Sequence, residues 1–208
     1  MTSISRRRTL GLIAGIGLVP KEILAADASK SGDDRGPFGL TWGATVAEVR
    51  SLGVALSAST SKDFGDAYSA TNLPKVIEDA TAILLAFGYD NKLWHVAAVG
   101  PTIDNDPTGI QVLARFAELS HALTARYGVG KETDIRDNEV FKEPKEYIAS
   151  LKTGRAHRYV NFNNGSSSAE LSIRASSLDA AFWVMIFESN AGSKAFEASK
   201  NEHEKDAL

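Results

Sequence analysis

The sequence predicts an α+β domain in which an antiparallel sheet of about five or six strands carries two main helices packed on one face. Three observations lead to this fold class. Residues 106–127 repeat apolar side chains at helical spacing, and residues 81–101 form two apolar runs around a turn cluster. Residues 156–189 then contain three more short runs with strand character. We place a single α+β domain at 38–190.

The first predicted element is a short helix inside FGLTWGATVAEVRSLGV (38–54). Thr45 can cap its N-terminus, and Glu48 stands at the position that completes a capping box. Gly53 follows as the residue that ends the helix. The next segment, 54–75, is rich in serine and weakly patterned, so we expect at most one strand there, followed by a loop.

Residues 81–101 give the clearest hairpin, with the turn cluster Asp90-Asn91-Lys92 between two apolar runs. Both faces of each run are apolar, which is typical of strands that lie centrally in a sheet and are covered. His95 falls on the same side as Ala97 and Val99. We therefore expect a buried histidine that is satisfied by hydrogen bonds, rather than a catalytic base.

The main helix is predicted from Asp106, as cap, through Pro107 at the first helical position to about Tyr127. Gly128 ends it. Its buried face is expected to carry the apolar residues at spacings of three and four, namely Val112, Phe116, Leu119, Leu123 and Tyr127.

The remainder of the domain is predicted as a charged loop followed by three strands. Residues 129–145 carry charges and Pro144, which favours a loop. The strands are expected near 156–164, 169–176 and 181–189, the second with strict alternation of apolar and polar side chains. Residues 191–208 form a polar C-terminal tail that can become a terminal helix.

The N-terminus has the three parts of a secretory signal peptide. Three arginines precede the apolar run LGLIAGIGLVP (10–20), which is too short for the roughly 20 residues that span a bilayer. Small residues follow, so we place cleavage after Ala28, with Ala26 as the alternative. Residues 1–28 are then the signal peptide, and the polar segment 29–37 is a flexible leader.

The segment SRRRTL (5–10) resembles the twin-arginine export signal, in which Ser-Arg-Arg is followed by any residue, usually Phe, and Leu. Thr9 replaces the usual Phe. The residues that carry the motif are Ser5, Arg6, Arg7, Arg8 and Leu10. The resemblance implies contact with the export machinery and a periplasmic location; an ordinary secretory signal or a basic N-terminal tail is the alternative.

Composition excludes several classes of protein. The chain has 208 residues, with 23 basic and 26 acidic side chains. The signal peptide holds four of the basic and two of the acidic residues, which leaves a mature net charge of −5. An acidic domain is poorly suited to nucleic-acid binding, which relies on Lys and Arg to neutralise phosphates. The absence of cysteine removes disulfides, thiol nucleophiles, thiolate metal sites and a lipid-anchored cysteine, so no stable membrane anchor is predicted.

No catalytic, cofactor-binding or metal-ligating motif is predicted. The histidines lack the spacing of a helical metal pair, and no G-x-S-x-G elbow occurs. One basic cluster with aromatic neighbours could form a partner surface together with an exposed Trp42, although a solvated strand edge and a core tryptophan explain the same residues. The cluster consists of Lys152, Arg155, His157 and Arg158.

The opening of the domain resembles a group of small exported bacterial proteins of unknown function that begin G-L-x-W-G-x-[ST]-x-x-E-V. The matching residues are Gly39, Leu40, Trp42, Gly43, Thr45, Glu48 and Val49. More distantly, the order of a helix followed by strands resembles the SmpA/OmlA-type outer-membrane assembly lipoproteins and beta-lactamase inhibitor protein. These are binding modules without active sites.

These observations lead us to expect a noncatalytic periplasmic module that binds a protein or an envelope component. Two alternatives stay open. One is a hydrolase whose site combines scattered residues such as Asp104, His157 and Glu170. The other is a small-ligand carrier that uses the open face of the sheet.

Overall fold

The computed structural model describes residues 34–60, 63–137 and 142–206. The predicted signal peptide, its cleavage site and residues 29–33 of the leader lie outside these ranges. The described chain contains four α-helices and eight strands. The helices are α1 (Val46–Ser51), α2 (Ile110–Tyr127), α3 (Tyr147–Lys152) and α4 (Asn190–Asp206). The strands are β1 (Ala55–Ala58), β2 (Asp66–Thr71), β3 (Ala82–Gly88), β4 (His95–Val99), β5 (Lys131–Arg136), β6 (Ala156–Asn163), β7 (Ser167–Ala175) and β8 (Ala181–Ser189).

All eight strands join one sheet in the order β1-β2-β3-β4-β8-β7-β6-β5, and every neighbouring pair is antiparallel. The predicted antiparallel α+β class is confirmed. The expected number of strands, five or six, was too low, and the described chain has four α-helices rather than two main ones.

The strands that the sequence did not reveal lie at the two edges of the sheet. Strand β5 lies within the predicted loop 129–145, and β1 and β2 lie within the ambiguous segment 54–75. Strand β5 reads KETDIR, and none of its side chains is buried. Backbone pairing with β6, from Lys131↔Asn161 to Arg136↔Ala156, therefore defines this strand, and backbone pairing leaves no hydrophobic pattern in a sequence.

The element order repeats. The short helix α1 is followed by four strands, and the long helix α2 is followed by the other four. Strands β4 and β8, the last of each set, pair at the centre of the sheet. Each set therefore forms one half of the sheet. The short helix α3, preceded by a 3-10 turn at Pro144–Glu146, is an addition between β5 and β6 of the second set.

Helix α2 covers the sheet with the predicted face. All five predicted side chains, from Val112 to Tyr127, are buried. The expected start was wrong, because the helix begins at Ile110 after Gly109, whose φ is +72°. Asp106 still acts at the N-terminus, since its carboxylate accepts hydrogen bonds from the backbone N–H of Ile110 at 3.1 Å and of Gln111 at 2.8 Å.

The predicted cap of the first helix and the predicted hairpin are both confirmed. The Thr45 side chain accepts a hydrogen bond from the Glu48 backbone N–H, and the Glu48 carboxylate accepts one from the Thr45 backbone N–H. Strands β3 and β4 pair from Ala82↔Val99 to Ala86↔His95, with Asn91 at φ +54° in their turn.

Both ends of the described chain are tied to the domain. Gly36 and Pro37, at the end of the predicted leader, are buried, and the Arg126 guanidinium donates to the carbonyls of Arg35 and Gly36. The predicted polar tail forms helix α4, which is anchored by Phe196. Its ring stacks on Trp94 with ring centroids 4.5 Å apart.

Candidate binding surfaces

The face of the sheet opposite the core carries apolar side chains at its centre. Opposed residues of neighbouring strands share a face, so one row can be followed across all eight strands. The row is Ser57, Ser69, Leu84, Ala97, Ile186, Glu170, Asn161 and Lys131. Its middle is apolar and its ends are polar.

Six partly exposed apolar residues on β3, β4 and β8 form what we call the apolar stripe. None of them belongs to the hydrophobic core cluster or packs against it as far as the structure describes the chain, because that core lies on the helix-covered face. The stripe consists of Leu84, Ala97, Val99, Phe182, Val184 and Ile186.

One end of the stripe is closed by His95 and Glu188. His95 is buried, and its Nδ1 lies 3.0 Å from Glu188 Oε1 on the neighbouring strand. Phe64 stacks on the imidazole, with ring centroids 4.4 Å apart. The prediction of a buried histidine with a hydrogen-bond partner is confirmed, and the arrangement is that of a structural side chain covered by its neighbours.

A second surface, the aromatic cleft, lies where α4 crosses the β3–β4 hairpin. It encloses about 320 Å³, and its walls include Trp42, Trp94 and Phe196. The indole N–H groups of both tryptophans are buried without a hydrogen-bond partner among the described residues. Trp42 is only 8% exposed, so it lies in this wall and does not project toward a partner. The other interpretation of Trp42, that it is a core tryptophan, is confirmed.

A third surface opens between β6 and β7. Their pairing ends at Tyr159↔Ser172, although β6 extends three residues beyond this pair, to Ala156, and β7 extends three, to Ala175. The resulting gap, which we call the β6–β7 wedge, has a volume of about 450 Å³. Side chains of both strands line it, together with the last turn of α3.

The four residues of the predicted basic cluster do not form one positive patch. Arg158 lies on the helix-covered side, 5.4 Å from the centre of the Phe116 ring, and forms ion pairs with Glu132 and Asp134. Arg155 pairs with Asp137, at 3.3 Å. Lys152 and His157 are exposed, and both line the wedge with Arg158.

The residues of the hydrolase alternative are only partly brought together. His157 and Glu170 both line the wedge, and a Glu170 oxygen lies 3.8 Å from the Arg174 guanidinium. Asp104 is not among the lining residues. Within residues 34–60, 63–137 and 142–206, no group of three His, Cys, Asp or Glu side chains is arranged to hold a metal ion.

Three ionisable groups of the described chain have shifted pKa values, and all lie on the helix-covered side. The hydrogen bond with Asp79 raises the pKa of Arg115 above its ordinary value. Hydrogen bonds from Arg115 hold the pKa of Asp79 below its ordinary value, with a further bond from the Trp183 indole, against an opposing effect of burial. Burial raises the pKa of Tyr147 to about 12, assisted by the negative charge of Asp134. These groups connect helices to the sheet and lie outside the three surfaces.

Sequence reasoning missed the residues that complete these surfaces. Phe196 is an isolated aromatic residue in a polar segment. The available signal was its four-residue spacing from Gly192, next to Ala191 and Ala195 at the same spacing, and all four residues line the aromatic cleft. Nothing in the sequence indicated the wedge or the position of Ser172 in it, because β6 and β7 have ordinary strand patterns over their full lengths.

No helix of the described chain has the length and apolar character that crossing a membrane requires. Comparisons of the chain with protein families, with curated proteins and with solved structures gave no match. The resemblance to small exported proteins therefore stays a prediction.

Proposed function

We propose that this protein is a noncatalytic binding module of the bacterial periplasm, and that it holds a protein or an envelope component against the apolar stripe. The stripe is the observation that supports the proposal. On a sheet with one face toward water, outward side chains are usually polar. Here six outward positions of three central strands are apolar instead, and the polar pair His95 and Glu188 lies only at one end of them.

The distribution of polarity across this face matches that of a binding interface. Leu84, Ala97 and Ile186 lie in the middle of the row described above, while serines lie toward one edge, and Glu170, Asn161 and Lys131 toward the other. An apolar centre within a polar rim is the common anatomy of protein interfaces. Contiguous apolar patches at a surface mark interaction sites.

The noncatalytic part of the proposal is supported by the placement of candidate acid and base groups. His95 and Glu188, at the end of the stripe, bond to each other, and Phe64 covers the imidazole. His157 and Glu170 both line the wedge, but Asp104 does not. A hydrolase needs a nucleophile, a base and oxyanion donors that converge on one point.

Site-specific photocrosslinking in the native host tests the proposal. A benzophenone amino acid at Val184 places the reactive group in the stripe, and the same group at exposed Gln111 on α2 is the matched control. We expect one dominant adduct from position 184 and not from position 111. Val184→Lys, with unchanged circular dichroism, should remove the adduct formed from a benzophenone at Ile186. Adducts that are equally abundant from both helix and stripe would show that the stripe is not the contact surface.

The aromatic cleft favours a second candidate, a small-ligand carrier, with the ligand in this cleft and not on the open face of the sheet, the location predicted from the sequence. Its volume lies within the roughly 300–1,000 Å³ typical of ligand pockets, and its two unpaired indole N–H groups are donors for a ligand acceptor. Native mass spectrometry of the protein isolated from its host's periplasm tests this candidate. A retained adduct that Phe196→Ala abolishes would support the carrier, while a species without added mass would contradict it.

A further inference from the structure

Strands β6 and β7 are not paired with each other within the β6–β7 wedge. Strand β6 stays paired with β5 as far as Ala156, and β7 stays paired with β8 as far as Ala175. Both strands therefore keep regular extended geometry while their facing edges separate beyond Tyr159↔Ser172. Backbone N–H and C=O groups require hydrogen-bond partners. Residues 156–158 and 173–175 thus present two short strand edges to one gap.

A buried hydroxyl lies at the narrow end of the gap. Ser172 is 3% exposed, and its Oγ has no hydrogen-bond partner among the described residues. Buried polar side chains are nearly always hydrogen-bonded, so an unpaired one calls for an explanation. A hydroxyl both donates and accepts, and can therefore pair with an N–H or a C=O of an incoming chain.

The charged side chains around the gap favour an acidic ligand. Lys152 and Arg174 are cations that line the wedge, and Glu170, the one carboxylate among the described lining residues, lies 3.8 Å from Arg174. Arg158 is already bound by two carboxylates of β5, Glu132 and Asp134. Lys152 has no ion pair within the described part of the chain, so a ligand carboxylate near it gains a partner without displacing one.

We propose that the β6–β7 wedge accepts an extended acidic segment of a partner polypeptide, which adds as a strand to the free backbone of β6 or β7. Main-chain hydrogen bonds supply the affinity in this mode of recognition, and side-chain contacts supply the specificity. The wedge and the apolar stripe share no residue. The inference therefore does not depend on the function proposed for the stripe.

The first test measures the binding of a defined peptide to the mature chain by fluorescence anisotropy. The probe is an acetylated, amidated hexapeptide of alternating valine and glutamate that carries a fluorophore. Its control is the same peptide with every amide nitrogen methylated. We expect the control to bind roughly tenfold more weakly or worse, because strand addition requires the peptide N–H groups. Equal affinities, or no binding of the unmodified probe, would overturn the proposal.

Hydrogen exchange with the bound probe then locates the site. We expect slower amide exchange within residues 156–158 and 173–175. Strands β1 and β5 are the two edges of the sheet and can also pair with an added strand. Protection confined to β1 or β5 would mean ordinary edge pairing and would refute the wedge as the site.

Charge reversal tests the acidic chemistry. Lys152→Glu should reverse the preference of the protein, so that a valine–lysine hexapeptide binds better than the valine–glutamate one. Lys75→Glu makes the same change of charge at an exposed lysine that does not line the wedge, and it should leave the preference intact. A Lys152→Glu protein that still prefers the glutamate peptide would exclude Lys152 from recognition and contradict the proposal.

Ser172→Ala tests the narrow end of the wedge. Loss of an unpaired hydroxyl should not lower the urea midpoint of unfolding, whereas affinity for the glutamate probe should fall about 2- to 10-fold, as expected for one hydrogen bond. Ser168→Ala is the matched control on the same strand and the same face. If Ser172→Ala and Ser168→Ala bind alike, the probe does not reach Ser172, and the proposed placement is wrong.

Discussion

Arg115 holds Asp79 through two hydrogen bonds, with its Nη2 2.6 Å from one carboxylate oxygen and its Nε 2.9 Å from the other. The indole N–H of Trp183 donates to the same carboxylate at 3.1 Å. The Asp79 carboxylate thereby joins the segment before β3 to helix α2 and to strand β8. Such two-point contacts between arginine and a carboxylate are among the stronger hydrogen-bonded pairs in proteins.

Asp79→Asn should lower the free energy of unfolding at pH 7 by about 1–2 kcal/mol, since charged hydrogen bonds are lost from a pair that is partly open to solvent. The folded-state pKa of Asp79 is lowered from its ordinary value of 3.8, so its contribution is present above that value and is lost as the pH falls through the folded-state pKa. Urea unfolding at pH 7 and pH 3 should show a difference between wild type and variant that shrinks in acid.

Glu118→Gln is the control for this prediction, because Glu118 binds the same arginine but is 66% exposed. We expect its effect to stay below about 0.5 kcal/mol. A larger loss for Glu118→Gln than for Asp79→Asn would contradict the assignment of the Asp79 pair as the stabilising contact.

Glu188→Ala should destabilise the protein by about 1–3 kcal/mol, because it leaves the buried imidazole of His95 without its partner. Glu188→Gln keeps a side-chain oxygen as acceptor and should cost less. Urea unfolding at pH 7.5 measures both variants. Equal stabilities of the alanine variant and the wild type would show that the hydrogen bond does not support the sheet.

Tyr147→Phe should match or exceed the wild type in stability at pH 7, because the tyrosine hydroxyl is buried without a hydrogen-bond partner in the described chain. Burial raises the pKa of Tyr147 from 10.0 to about 12. The folded state therefore favours the neutral hydroxyl. The free energy of unfolding is unaffected by this ionisation below pH 10 and decreases as the pH rises toward 12.

Urea unfolding at pH 7 and pH 11 should show that the phenylalanine variant loses less stability than the wild type in base. Tyr89→Phe is the control, since Tyr89 is exposed and its ring stacking is kept. A variant that loses as much stability in base as the wild type would argue against a perturbed Tyr147.

Arg6→Lys combined with Arg7→Lys should retain the uncleaved protein in the cytoplasm, since the twin-arginine route requires the arginine pair. Arg8→Lys changes the position at which the motif accepts any residue and should still be exported. Cell fractionation and intact mass measurement test both variants, and the exported form should begin near Ser29. Normal export of the double variant would favour the ordinary secretory route instead.

Local chemistry predicted the elements whose side chains carry a pattern. The Thr45–Glu48 cap, the buried face of α2, the β3–β4 hairpin and the buried state of His95 were all predicted from patterns of residues that are close in sequence. In each case the spacing of side chains specifies which side is buried. These features are confirmed because the side chains that form each sequence pattern are the ones that become capped, paired or buried.

The tertiary structure alone decided the two sheet edges, the docking of α4 and all three surfaces. His95 and Glu188 are 93 residues apart, and only the pairing of β4 with β8 brings them together. The β6–β7 wedge exists because two strands with ordinary patterns stop pairing after Tyr159↔Ser172. The sequence by itself determined the fold class, the central strands and the main helix, and the address that it predicts stays a prediction. Backbone pairing between distant segments determined the rest, since main-chain hydrogen bonds are the same for every side chain and leave no periodic signal in the sequence.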